Sequence, residues 1–308
     1  MKQVMAALGL VVAAALYPQA EQTPGGLNVT AVTLPAFDDD RGLRFSSTRE
    51  EYDTARADAR YTFEQFTYPS DGLTVGAYLY RPVATTSAPR PIIVFNRGSY
   101  TRPTGFAGEM LVMAHRYAEA GFLVVAPHYR GSNGWEGRDE MGGAELADLM
   151  NIVTVLGRIP GADTTRVFLS GESRGGMMVY QAVRDRFPAK AAAVWGAFSD
   201  LAPLLAPGSP QASVAPQIWP DLAVQREAIV ERRSAIRWAT RIDTPLLIMH
   251  GTADQDMPID QSRRMDAELT RLGKVHRFRE FEGQRHQIGG QGAERDAETI
   301  AWFRRFER

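Results

Sequence analysis

The chain has 308 residues, a formal net charge of -1 and no cysteine. Thirty-five basic residues against thirty-six acidic ones, interleaved without long runs of one sign, exclude the concentrated basic face that a nucleic-acid or anionic-membrane partner needs. The missing thiols exclude disulfides, cysteine nucleophiles and cysteine-based zinc sites, and at 44% hydrophobic and 23% charged residues the chain is long enough to bury one large core.

In chain order, Lys2 and the apolar run Val4 to Leu16 have the form of a signal peptide, with cleavage expected after Ala20 or Ala15. An uncleaved anchor or a buried first helix is the alternative. On the first reading residues 1–20 are removed and the protein is exported, periplasmic or secreted, with no membrane contact after cleavage. Residues 21–60 read as an extension packed on the domain surface, with a helix near Ser47 to Arg60. Tyr61 to Pro69 and Leu73 to Pro82 form a hairpin turned by Ser70-Asp71-Gly72.

From residue 91 onward strands alternate with helices. Pro91 to Asn96, Phe122 to Ala126, Val167 to Ser170, Ala191 to Trp195 and Leu246 to His250 are short, nearly continuous apolar runs, as expected of strands covered on both faces, and Val275 to Phe281 reads as a further strand. Helical spacing marks Glu109 to Ala120, Glu145 to Val155, Gly175 to Arg186, Gln261 to Leu272 and Ala293 to Phe306. A hairpin followed by repeated βα units predicts an α/β fold over residues 61–308, with a mostly parallel central sheet and helices on both faces. Residues 201–240, rich in proline and arginine, break the rhythm between two core strands, where a small cap can be inserted.

The sharpest motif is Gly171-Glu172-Ser173-Arg174-Gly175-Gly176, between the strand VFLS and a helix. It matches a nucleophile elbow, the turn that lifts a serine above the carboxyl edge of the sheet in an α/β-hydrolase fold. A serine hydroxyl needs a base. Of His115, His128, His250, His276 and His286, only His286 stands in a loop after the last strand, on that same edge. The acid that fixes the imidazole tautomer is expected at Asp254, in His250-Gly251-Thr252-Ala253-Asp254, with Asp256 and Asp200 as rivals. The order Ser173, Asp254, His286 is the one this fold uses. For the oxyanion, the backbone N–H of Arg174 and that of Ser99, in Asn96-Arg97-Gly98-Ser99, are the expected donors. No H-E-x-x-H, EF-hand or phosphate-binding glycine loop is present, so neither a metal nor a cofactor is expected.

The ordered set Tyr129-Arg130-Gly131-Ser132-Asn133-Gly134, Gly142-Gly143, Asp148, GESRGG, HGTADQDMP and EGQRH resembles the catalytic domain of the prolyl oligopeptidase family, from about Phe66 to the C-terminus. That resemblance implies a serine peptidase with Ser173, Asp254 and His286 on the triad positions, Arg174 and Ser99 on the oxyanion positions, and structural roles for Arg130 and Asp148. The large peptidases of this family carry an N-terminal β-propeller, and the stretch before residue 61 is too short to hold one. Arg174 stands where the family usually has an aromatic residue, and NRGS replaces the commoner histidine-glycine-glycine loop. The expected partner is a small peptide. A carboxylesterase acting on acyl or acetyl esters with the same triad is the alternative, and a non-catalytic binding protein on a hydrolase scaffold is a third reading.

Overall fold

The computed structural model describes residues 26–40, 42–84, 88–100 and 106–308. The expected signal peptide, residues 1–20, lies outside the described residues. Nine strands form one sheet: β1 (Val29–Ala31), β2 (Tyr61–Ser70), β3 (Leu73–Pro82), β4 (Arg90–Asn96), β5 (Leu123–Pro127), β6 (Ala162–Glu172), β7 (Ala192–Trp195), β8 (Leu246–Gly251) and β9 (His276–Phe281). Their spatial order is β1-β2-β3-β5-β4-β6-β7-β8-β9. The pairings from β1 to β5 are antiparallel and all those from β5 to β9 are parallel. The mostly parallel sheet expected from the βα rhythm is therefore present, with the predicted hairpin at its antiparallel side.

The apolar runs are continuous because successive side chains enter different cores. Ile92, Val94, Val167, Leu169, Leu246 and Ile248 face one cluster, which the helices Leu146–Asn151, Arg174–Arg184 and Asp260–Arg271 cover. Ile93, Phe95, Phe168, Leu247 and Met249 face the other, under the helices Arg49–Ala57, Ala107–Glu119 and Gly292–Arg304. Every strand–helix turn on the parallel side then opens at the same carboxyl edge, where the chemistry-bearing motifs end.

One segment departs from the sequence reading. The N-terminal extension is more than a surface covering: β1 pairs with β2, and Phe37, Leu43, Tyr52 and Ala55 are buried in the second core. Its helix begins with a capping box, Thr48 and Glu51 exchanging hydrogen bonds across the first turn. Arg116 ties it down, donating to Glu51 on one side and to Asp296 at 2.8 Å on the other. The interruption at residues 201–240 is helical, with helices Pro210–Ile218 and Leu222–Arg233 between two 3-10 turns. It packs into the first core through Ala215, Trp219, Val230 and Trp238.

Besides the pairing of β3 with β5, a buried ion pair ties the hairpin to the domain. Asp148 accepts from the Arg130 side chain at 2.6 and 3.0 Å, from the Arg130 backbone N–H at 2.7 Å and from Ser70 Oγ at 2.6 Å, while Tyr68 donates to the Asp148 carbonyl at 2.7 Å. The structural reading of this pair in the YRGS motif thus has a contact behind it. Removing one partner leaves the other charge buried without compensation. Asp148→Ala is expected to lower stability by about 3–5 kcal/mol in urea unfolding; a loss under about 1 kcal/mol would show that the hairpin is held by other means.

Candidate active site

Strand β6 runs straight into the elbow. Ser173 has φ +52° and ψ -119°, a strained backbone for a residue with a side chain. The strain is held from both sides: the Ser173 N–H donates to the Trp195 carbonyl at 2.8 Å, and the Met177 N–H returns to the Ser173 carbonyl at 3.2 Å. The turn tolerates no bulk. A Cβ on Gly171 would lie 2.6 Å from the Gly175 carbonyl oxygen, and one on Gly175 would run into the Asn96 carbonyl. The helix Arg174–Arg184 starts immediately behind the serine, so its first N–H groups and the positive end of its dipole lie next to that side chain.

Asp254 and His286 arrive from the loops after β8 and β9. His286 Nδ1 donates to Asp254 Oδ2 at 2.7 Å. The other carboxylate oxygen, Oδ1, accepts the backbone N–H groups of Asp256 and Met257, each at 2.9 Å. Of the three candidate acids, Asp254 is thus the one joined to the imidazole. Asp256 is exposed, and Asp200 pairs with Arg264 at 2.9 Å. The ring also rests on Gly196, where an added Cβ would lie 3.0 Å from both Cε1 and Nδ1; Gly196 follows Trp195, the residue that accepts from Ser173. Among the described residues the ring makes no hydrogen bond with the Ser173 hydroxyl, and its side-chain partner is Asp254.

One participant was missed by the sequence reading. His250 is buried at the end of β8, with Nε2 at 3.0 Å from Asp254 Oδ2 and 2.9 Å from the Met257 carbonyl, and Nδ1 at 2.7 Å from Ser262 Oγ. Two acceptors around Nε2 place a proton there, shared between the Met257 carbonyl and Asp254. Asp254 therefore receives four donors. Burial opposes its ionisation, but hydrogen bonds from His250 and His286 and the His286 charge hold the carboxyl far below the usual carboxylate range. The His250-to-Asp254 spacing of four residues was the only available signal.

For His286 the balance runs the other way. Burial disfavours the charged ring, yet the hydrogen bond and charge of Asp254, followed by the charges of Glu172 and Asp256, raise its pKa above 6.5. His128, by contrast, is pushed down to about 3 by burial and by Arg97.

Beneath the elbow lies a buried ionic cluster that residue patterns did not reveal. Arg174, fully covered, binds Asp139 through both terminal nitrogens, at 2.7 and 2.8 Å, and Glu145 at 2.7 Å. Arg97 donates to Ser132 Oγ at 2.6 Å and lies 3.6 Å from Asp139. Both guanidinium groups lie over the Tyr129 ring, at 5.1 and 4.8 Å from its centre. Together they hold the loop after β4 by its carbonyls: Arg97 Nη1 donates to those of Gly98, Ser99 and Tyr100 at 2.9, 3.3 and 3.2 Å, and Arg174 Nη1 to that of Ser99 at 3.2 Å. Gly98 packs against Ser173, its would-be Cβ 3.4 Å from the serine Cβ.

Two groups of side chains have metal-ligand spacing. Asp58, His115 and Glu119 converge, but Arg60 spans them, 2.6 Å from Asp58 and 3.1 Å from Glu119, and supplies the cation. Asp254, Asp256 and His286 also converge, and the oxygens of Asp254 are already taken by its four donors.

These environments can be read by NMR. The His286 ring is expected to titrate above 6.5 and His128 to stay neutral down to about pH 3. In Asp254→Asn the His286 value is expected to fall below 6.5, because burial then acts without the carboxylate. An unchanged His286 titration in that variant would contradict the pairing.

Comparison with known proteins follows the same lines. Residues 106–306 match the model of the prolyl oligopeptidase family. Two curated relatives from Bacillus subtilis are similar: uncharacterized peptidase YtmA, 26% identical over 52% of this chain, and uncharacterized peptidase YuxL, 27% identical over 72% of it. The alignments take in 62% of YtmA and 35% of YuxL, so the chain spans less than two thirds of these relatives. Among solved structures, the acylaminoacyl peptidase of Pyrococcus horikoshii superposes with a TM-score of 0.65 at 23% identity, covering 80% of this chain and 42% of that one. A puromycin-hydrolyzing peptidase of Mycobacterium tuberculosis does so with the same TM-score at 24% identity, covering 80% and 39%. The fold is shared with both, and the chain belongs to the prolyl oligopeptidase family.

Proposed function

We propose that the protein is a serine peptidase that cleaves short peptides through an acyl-enzyme on Ser173, with His286 as general base and Asp254 as the acid that orients it. The observation that carries this reading is the hydrogen bond between Asp254 and His286 at 2.7 Å, above a serine held in an elbow turn. The peptidase names of the relatives agree with it.

Each step has a residue in place. His286 Nδ1–H is committed to Asp254, which leaves Nε2 with the lone pair that takes the Ser173 proton. As the hydroxyl oxygen bonds to the substrate carbonyl carbon, His286 becomes a cation beside an ionised Asp254. The raised pKa of the histidine is the ground-state trace of that stabilisation. The serine–histidine hydrogen bond belongs to the substrate complex, since such bonds are commonly long in the empty enzyme.

The developing oxyanion is assigned to the N–H groups of Arg174 and Ser99. Arg174 N–H stands in the first turn of its helix. The Gly98 carbonyl is turned onto Arg97 at 2.9 Å, and in a trans peptide the Ser99 N–H then points the opposite way. Collapse of the tetrahedral intermediate breaks the C–N bond and moves the proton from His286 to the departing amine. Water then attacks the ester by the same route in reverse.

Ser173→Ala and His286→Ala are each expected to lower turnover of a peptide p-nitroanilide about a millionfold, with no further loss in the double variant. Asp254→Asn is expected to cost about ten thousandfold, and Asp256→Asn less than tenfold. Near-normal activity of Ser173→Ala would end the nucleophile assignment. A wild-type kcat/KM dominated by short p-nitrophenyl esters over peptide amides would overturn the peptidase part of the reading.

A further inference from the structure

Ser99 holds a backbone conformation that a residue with a side chain rarely adopts, with φ +63°. Such a conformation persists only where its surroundings over-determine it. Here three successive carbonyls, those of Gly98, Ser99 and Tyr100, converge on Nη1 of Arg97, and Arg174 Nη1 adds a second bond to the middle one. The peptides are trans, so with the carbonyls of residues 98 and 99 on the arginines the N–H groups of Ser99 and Tyr100 point away from them. Gly98, at the start of the turn, packs against Ser173. The direction of the Ser99 N–H is therefore set by where two guanidinium groups lie.

Asp139 faces both of those groups. Its carboxylate takes the two terminal nitrogens of Arg174 at 2.7 and 2.8 Å and lies 3.6 Å from Arg97. Ser132 Oγ bridges the longer contact, accepting from Arg97 at 2.6 Å and donating to Asp139 at 3.3 Å. The Met141 N–H pins the carboxylate at 2.9 Å, and the Tyr100 hydroxyl donates to the Asp139 carbonyl at 3.1 Å. All three charged side chains are buried, where water screens their attraction little. A bidentate guanidinium–carboxylate pair fixes orientation as well as distance, so a shift of Asp139 moves both arginines and the carbonyls they hold.

We infer that Asp139 is a positioning residue for the oxyanion, acting through Arg97 and Arg174 to aim the Ser99 N–H at the substrate oxygen above Ser173. It touches no reacting atom. The role rests on the proposed reading of Ser173 as nucleophile and of the Ser99 N–H as oxyanion donor. Because charge develops on that oxygen only in the transition state, a misdirected donor costs turnover and leaves substrate binding almost untouched.

Asp139→Asn keeps the shape of the side chain and removes its charge. The full chain and this variant are compared on an acyl-peptide p-nitroanilide and on the matching peptide trifluoromethyl ketone. The ketone carbon bonds to the Ser173 oxygen, the serine proton passes to His286, and the ketone oxygen becomes the oxyanion. Folding is followed by urea unfolding and the His286 titration by NMR. Expected are a fall in kcat of about a hundredfold, a KM within about threefold of wild type, a parallel loss of affinity for the ketone, and an unchanged His286 titration. If Asp139→Asn does not fold, Ser132→Ala, which removes only the neutral bridge, is read in its place, with a fall in kcat of about tenfold expected, part of the effect of one donor. A folded variant with kcat within about threefold of wild type, or a loss carried by KM, would overturn the role and leave the triad standing. A His286 titration displaced together with kcat would also overturn it, because Asp139 would then support the imidazole. Wild-type protein inert towards the anilide would instead remove the peptidase reading, and this role with it.

Discussion

The site depends on one carboxylate being kept ionised in a place that disfavours charge. Asp254 lies at the rim of the sheet with its side chain fully covered, and an isolated buried carboxylate would take up a proton. Four donors prevent this: two backbone N–H groups from its own loop, His286, and His250 from the strand beneath. The consequence travels outward. An ionised Asp254 fixes the His286 tautomer and raises its pKa, and the ring so fixed stands on Gly196, beside the carbonyl that anchors the elbow. The strand, the tautomer and the strained serine backbone are thus parts of one hydrogen-bonded assembly.

A second constraint works below the serine. Arg174, directly after Ser173, puts a full positive charge inside the domain, and the protein answers with Asp139 and Glu145. Burial opposes ionisation of Glu145, but the Arg174 charge and the N–H groups of residues 142 and 140 keep it below its ordinary value. The cluster also makes use of that charge. Arg97 and Arg174 bind loop carbonyls through terminal nitrogens as well as facing Asp139, which fixes the NRGS loop.

Much of this was legible in the residues because it is local. Covered parallel strands read as PIIVF or LLIMH, the cramped turn requires Gly171 and Gly175, and strand–loop boundaries placed Ser173, Asp254 and His286 on one edge. What escaped is non-local. Arg97, Asp139, Glu145 and Arg174 meet from three separate segments, and none has a neighbour in sequence that betrays its burial. Apart from its four-residue spacing to Asp254, nothing distinguishes His250 from an ordinary strand-terminal histidine until the loop to Met257 folds back over it. Val29–Ala31 is too short to show a period, and Leu43 and Tyr52 read as scattered apolar residues in a polar stretch, so the part that the extension plays in sheet and core was invisible before the fold was known.

The proposed chemistry can be checked at the atom that begins it, without knowing the substrate. A fluorophosphonate reacts only with a serine whose proton is being taken, so intact mass followed by peptide mapping of the treated, folded protein reads the assembly directly. The expected result is a single adduct on Ser173 that disappears in folded His286→Ala. Labelling elsewhere, or an adduct on Ser173 that persists at the same rate without His286, would contradict the assignment of one hydroxyl to one imidazole.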